Sequence, residues 1–189
     1  MNPVLDAALE IQRFVQERGW RFCVVGGLAV QRWGEPRATQ DVDISLLTGF
    51  GAEEPYIVEL LAHFESRRPD AAQFALVARV LVLTSSNGIG VDVALAGIPF
   101  EERAIERASP FEFLPGVTLL TCSAEDLVVL KAFAGRPLDW RDVEGVLCRQ
   151  FGELDWPYIY EELTPLATAK EEPEIVDQLR ALQRRVEDD

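Results

Sequence analysis

Asp41 and Asp43 stand one residue apart in Thr39-Gln40-Asp41-Val42-Asp43-Ile44-Ser45, downstream of a glycine pair, Gly26-Gly27, that closes the apolar run Phe22-Cys23-Val24-Val25. In a strand, residues i and i+2 project to one side, about 6.6 Å apart at about 3.3 Å per residue, while Val42 and Ile44 project to the other. Two carboxylates so placed repel each other unless a cation lies between them, and hard divalent ions such as Mg²⁺ take oxygen ligands of this kind. A third carboxylate has the same setting: in Gly90 to Ala96, Val91, Val93 and Leu95 alternate with Asp92, Ala94 and Ala96, so Asp92 projects beside small neighbours. This pattern points to metal-dependent phosphate chemistry.

The elements that must position these residues follow from periodicity. Val4, Leu5, Ala8, Ile11, Phe14 and Val15 recur at helical spacing over Pro3 to Arg18, and Gly19 supplies a stop. A strand is expected at Arg21 to Val25, then a glycine turn, a helix at Leu28 to Trp33, and a loop at Gly34-Glu35-Pro36 feeding the strand of Asp41 and Asp43. Helix is expected at Pro55 to Arg68. Ala75 to Thr84 reads as a strand, joined through an Asn87-Gly88 turn to Gly90 to Ala96. A helix at Phe100 to Ala108 and a strand at Val117 to Thr121 follow. Beyond Cys122 the pattern is helical: Ser123 with Asp126 forms a capping signature closed by Gly135, Asp139 with Asp142 repeats it, and helices are expected at Trp156 to Ala167 and Pro173 to Val186. The expected fold class is α+β, a mixed sheet with flanking helices (1–122) and a C-terminal helical region (123–189) packed on that core.

The 189 residues are 48% apolar, enough for a full core, and carry a formal charge of −14. That excess disfavours a sequence-independent grip on nucleic acid. Cys23, Cys122 and Cys148 are odd in number, far apart and embedded in apolar sequence, so buried thiols are expected rather than disulfides or zinc ligands. The amino terminus lacks a basic n-region and an apolar stretch, and no segment approaches the roughly 20 apolar residues of a membrane span. A soluble, cytoplasmic protein is expected.

The ordered set of an apolar strand, Gly26-Gly27, a helix, Asp41-Val42-Asp43 and a later Asp92 flanked by valines resembles the nucleotidyltransferase superfamily typified by DNA polymerase β. Within it, Val24-Val25-Gly26-Gly27-Leu28-Ala29, Arg37-Ala38-Thr39-Gln40-Asp41-Val42-Asp43 and Lys131…Arg136-Pro137-Leu138-Asp139-Trp140-Arg141-Asp142 resemble bacterial minimal and AbiEii-like members, some of them toxins of toxin-antitoxin pairs. Gly27 stands where many relatives place a phosphate-contacting serine, and Leu138 where toxin-like members often have a lysine. The resemblance implies a nucleotidyltransferase core over 1–122 that moves a nucleoside monophosphate from an NTP, such as ATP, to a hydroxyl. It implies Asp41, Asp43 and Asp92 as catalytic residues and ligands of two Mg²⁺ ions, which would activate the hydroxyl and offset charge on the pyrophosphate. Gly26, Gly27 and the helix amino terminus would face the phosphates, with Arg37, Thr39, Lys131 and Asp142 as further nucleotide-binding candidates. A tRNA, a protein or a small molecule such as an aminoglycoside would be the acceptor, and an antitoxin the partner in the toxin branch. For tRNA, Arg13, Arg18, Arg21, Arg67 and Arg68 are the available basic patch.

Plainer readings stand beside these. His63, the only histidine, shares a helix with Ile57, Leu60, Leu61 and Phe64 and reads as structural or surface. Asp139 and Asp142 are explained by helix capping. Lys131 reads as snorkelling to solvent, and Trp33, Trp140 and Trp156 as core or interface. The competing function is a non-catalytic nucleotide-binding or protein-interaction module that has kept the fold; crowded carboxylates argue against it.

Overall fold

A computed structural model describes residues 2–188. In chain order the elements are α1 (Pro3–Glu17), β1 (Phe22–Val24), α2 (Gly26–Trp33), β2 (Asp41–Leu47), α3 (Glu54–His63), β3 (Glu65–Ser66), α4 (Ala71–Ala78), β4 (Val80–Thr84), β5 (Gly90–Ala96), α5 (Pro99–Glu106), β6 (Ser109–Leu114), β7 (Val117–Thr121), α6 (Ala124–Ala134), α7 (Pro137–Arg149), α8 (Trp156–Ala169) and α9 (Glu174–Asp188). The class is α+β, with a mixed sheet, flanking helices and a helical C-terminal region. Contacts group the chain into two units. The first holds the described residues through Leu28 together with Ala38–Cys122; the second holds Ala29–Arg37 together with the described residues from Ser123 onward.

The first unit is built on one sheet in the order β3-β4-β5-β2-β1-β7-β6. β2 runs parallel to β5, and β1 parallel to β7; the remaining neighbours are antiparallel. Val42, Ile44 and Leu46 of β2, Val91 and Val93 of β5, and Leu81 and Leu83 of β4 are fully buried on one face. Strand alternation therefore sends Asp41, Asp43 and Asp92 to the opposite face. All six residues that set the helical period of α1 are buried, and α1 packs on β7, β2 and β5. Its start is capped by Asn2, whose side chain accepts from the Val4 N–H at 3.0 Å. Gln12, also buried, donates to the Thr118 carbonyl and accepts from the Leu120 N–H, both at 2.9 Å, so one amide satisfies two backbone groups of β7.

The two ends of the sheet are blunted. β3 is two residues long, and β6 carries Pro110 and Glu112 with an irregular register between Glu112 and Leu114.

Several expectations are corrected here. Ala75 to Thr84 is not one strand: α4 continues to Ala78, Arg79 adopts the left-handed conformation at φ 54°, and β4 begins at Val80. The helix expected to reach Arg68 ends at His63, because β3 claims Glu65 and Ser66. β6 was not expected at all. Cys23 and Cys122 are buried thiols, but Cys148 is exposed near the end of α7.

The second unit is helical. Ser123 caps α6, accepting from the Asp126 N–H at 3.1 Å, and Gly135 ends it with φ 71°. Asp126, fully buried, is held by the Tyr158 hydroxyl at 2.6 Å and the Ser123 hydroxyl at 2.7 Å. At the end of α2, the Trp33 and Gly34 carbonyls accept from Gln150 at 3.0 Å and Arg149 at 2.5 Å, both near the end of α7. Among the described residues no helix is long and apolar enough to cross a membrane.

Candidate functional site

Register brings two of the predicted carboxylates opposite each other. Asp43 on β2 pairs with Asp92 on β5, and Asp41 pairs with Gly90, so the three acidic positions occupy adjacent places on one face. All three are partly exposed. Asp92 thus lies beside Asp43 on the face opposite buried Val91 and Val93.

The glycine pair has a steric reason. Gly26 has φ 60°, and a Cβ there would overlap the Asp43 carboxyl, with Cγ only 2.6 Å away. A Cβ at Gly27 would lie 2.7 Å from that of Thr39. The space beside the glycines is thus filled by Asp43 and Thr39. Their absent side chains let the strand's carboxylate lie against the first turn of α2, where unpaired N–H groups and the helix dipole favour negative charge. Thr39, two residues before β2, is held by the first residue of that strand, its hydroxyl lying 3.2 Å from Asp41 Oδ1 and 3.3 Å from the Asp41 carbonyl oxygen.

Among the described residues, no group of three or more histidine, cysteine, aspartate or glutamate side chains is gathered closely enough to hold a metal ion. Asp92 instead accepts a hydrogen bond from Arg67 Nη2. Asp41 and Asp43 are hard oxygen donors on one face beside a helix amino terminus, the donor type that divalent cations such as Mg²⁺ take. The Asp92 carboxylate, which the sequence pattern assigns to a second ion, is paired with Arg67.

Other predicted residues lie together in the second unit. Lys131, Asp139 and Asp142 are 7%, 1% and 5% exposed. Lys131 Nζ is 3.0 Å from Asp139 Oδ1 and 2.8 Å from Asp142 Oδ2. Arg37 donates to both oxygens of Asp142 at 2.8 and 2.9 Å, a bidentate pairing. Arg136 donates to Asp139 from Nε at 2.6 Å and Nη2 at 3.2 Å. Burial pushes both carboxyls up, but the hydrogen bonds from Arg136 and Lys131 to Asp139, and from Arg37 and Lys131 to Asp142, outweigh it and hold both below their ordinary value. Lys131 therefore does not snorkel. Asp139 does cap α7, from the third helical position rather than as its N-cap: the N-cap is Arg136, whose N–H donates to Asp139 at 3.3 Å. Asp142 is an ion-pair residue rather than a capping one.

The basic patch is largely neutralised. Arg18 pairs with Glu59 at 3.0 Å, Arg21 with Glu102 and Glu106 at 2.9 Å each, Arg68 with Asp70 at 2.8 Å, and Arg67 with Asp92. His63 is exposed and packs on Phe14, ring centroids 4.7 Å apart. Sequence reasoning named Arg67 only as part of this patch. Its role beside Asp92 depends on which strands pair, and nothing local signals it.

The chain belongs to the family described as nucleotidyltransferase of unknown function (DUF6036), whose profile matches residues 5–186. Among solved structures it is similar to an antigenic nucleotidyltransferase-like protein from Paracoccidioides brasiliensis, at 16% identity over 95% of this chain and 94% of that one, TM-score 0.51. It is also similar to the antibiotic-resistance factor ANT(2'')-Ia in solution, at 16% identity over 96% and 91%, TM-score 0.48. A complex of ANT(2'')-Ia with adenylyl-2''-tobramycin gives 19% identity over 96% and 97%, TM-score 0.42. No curated protein matches the sequence significantly.

Proposed function

We propose that this chain transfers a nucleoside monophosphate from an NTP to a hydroxyl acceptor, with Mg²⁺ as the metal and release of pyrophosphate. The observation that carries the reading is the register of β2 and β5, which sets Asp43 opposite Asp92 and Asp41 on the same face, beside the α2 amino terminus. A divalent cation on Asp41 and Asp43 would neutralise phosphate charge and make an attacking hydroxyl more acidic. The chain's own part is alignment. Thr39 orients Asp41, Gly26 admits Asp43 to the helix end, and the first N–H groups of α2 would receive phosphate oxygens.

Lys131, Arg37 and Asp142 serve, in this reading, as a structural brace rather than as phosphate contacts, since each charge is already matched by a partner. The segments resembling AbiEii-like toxins include this brace, so a toxin role and an antitoxin partner rest on sequence resemblance alone. A nucleic-acid acceptor fits poorly with the charge of −14 and with the paired arginines. A hydroxyl of a neutral or cationic small molecule fits best, with protein and tRNA as the other acceptors to be tried. One observation favours the competing reading, a nucleotide-binding module without transfer: Arg67 occupies Asp92.

The test is incubation of wild type and Asp43→Asn with labelled NTPs, Mg²⁺ and pools of small molecules, proteins and tRNA. Transfer is expected for wild type and absent for Asp43→Asn at unchanged circular dichroism. Activity surviving in the variant would refute the assignment, and NTP-dependent thermal stabilisation without transfer to any pool would favour the module.

A further inference from the structure

We propose that Arg67 is a built-in cation of the carboxylate face, taking beside Asp92 the charge-balancing place that the three-aspartate pattern assigns to a second metal ion. The site then binds one divalent ion, on Asp41 and Asp43. The inference rests on the reading of that face as the metal site.

Placement is the first support. Arg67 follows β3 at the sheet's edge, and its N–H donates to the Val82 carbonyl at 3.1 Å. Val82 is the register partner of Asp92. The Arg67 backbone thus lies level with Asp92 but two strand spacings away, about 10 Å, with β4 between. A long side chain is required to cross that distance, and the Arg67 side chain ends on Asp92 Oδ1.

Space for the guanidinium is the second. A Cβ at Gly90 would come within 3.1 Å of Arg67 Nη1 and 3.3 Å of its Cζ. Gly90 is the register partner of Asp41. The bare backbone at Gly90 therefore makes room for the guanidinium next to Asp92 and level with Asp41, within the carboxylate face rather than at its margin.

Charge is the third. Three carboxylates are balanced by one guanidinium and one divalent ion, whereas a second divalent ion beside a retained Arg67 leaves the face positive before substrate arrives. A guanidinium is a fixed monovalent cation with planar donors suited to carboxylate oxygens. A metal ion reaching Asp92 must first break that pair, leaving the arginine without it.

The experiment is titration with Mn²⁺ alone, free ion followed by electron paramagnetic resonance, on wild type, Arg67→Gln, Arg67→Lys, Asp43→Asn and Arg67→Gln/Asp92→Asn, each checked for native circular dichroism. Wild type and Arg67→Lys are expected to bind one ion that Asp43→Asn loses. Arg67→Gln is expected to bind two, the second lost again in Arg67→Gln/Asp92→Asn. Two ions in wild type, or one in Arg67→Gln, overturns the proposal. No binding in wild type, and no effect of Asp43→Asn, defeats the metal-site reading itself and is distinguished by that pattern.

Discussion

Replacing Lys131 with methionine removes one cation from a buried cluster of known geometry. Lys131 sits 3.0 Å from Asp139 and 2.8 Å from Asp142, both almost wholly buried. Breaking a buried pair costs about 3–5 kcal/mol, because the remaining charge stays desolvated. Here each carboxylate keeps an arginine, Arg136 on Asp139 and Arg37 on Asp142. The loss is therefore expected at the low end, about 3 kcal/mol. At about 2.1 cal/mol/K per residue over 189 residues, the unfolding entropy is about 0.4 kcal/mol/K, so Tm falls by about 8 °C if the chain melts in one step. Separate melting of the second unit would enlarge the shift, because fewer residues share the entropy. The dependence on pH follows from both carboxyls lying below their ordinary value in the fold. Depressed carboxyls contribute stability that is complete above the unfolded value, about 4, and is lost as pH falls through the folded values. The gap between wild type and Lys131→Met is thus full at pH 7 and narrows below about pH 4. Urea unfolding followed by circular dichroism across this range measures it, and the cycle with Asp142→Asn should be non-additive by about 1–3 kcal/mol. A change in Tm under about 2 °C with additive energies would refute the brace.

Two further predictions concern the remaining features. Gly26→Ala must hold a left-handed backbone, costing about 1–2 kcal/mol, and must also displace the Asp43 carboxyl, so it should lower stability and abolish Mn²⁺ binding together; a variant that binds the ion normally would contradict the steric account. Native protein should react at one thiol, Cys148, with Cys23 and Cys122 becoming reactive only in denaturant, as titration with a chromogenic disulfide reagent reports; two or three fast thiols would be the contrary result.

Elements with local chemistry were legible. The period of α1, the hydroxyl of Ser123 and the glycine stop at Gly135 each act within a few residues of where they are written, and so does alternation along β2 and β5. The break between α4 and β4 was hidden because Leu76 and Val77 suit either element and the left-handed residue is Arg79, not glycine. β6 was obscured by Pro110, which argues against a strand except at an edge, and an edge is where it lies. Within the candidate site, the face shared by Asp41 and Asp43 could be read from a spacing of two. The Arg67–Asp92 pair and the burial of Lys131 could not, since each depends on partners 25 and 8–11 positions away whose proximity only folding decides.

The blunted sheet ends bear on handling as well as on architecture. A purification that concentrates this acidic chain meets an edge with exposed Phe111 and Leu114, yet Pro110 withholds a donor and Glu112 adds repulsion, so neighbouring molecules find little to zip onto. Replacing those two residues with apolar ones would remove both obstacles and leave the edge open to strand addition.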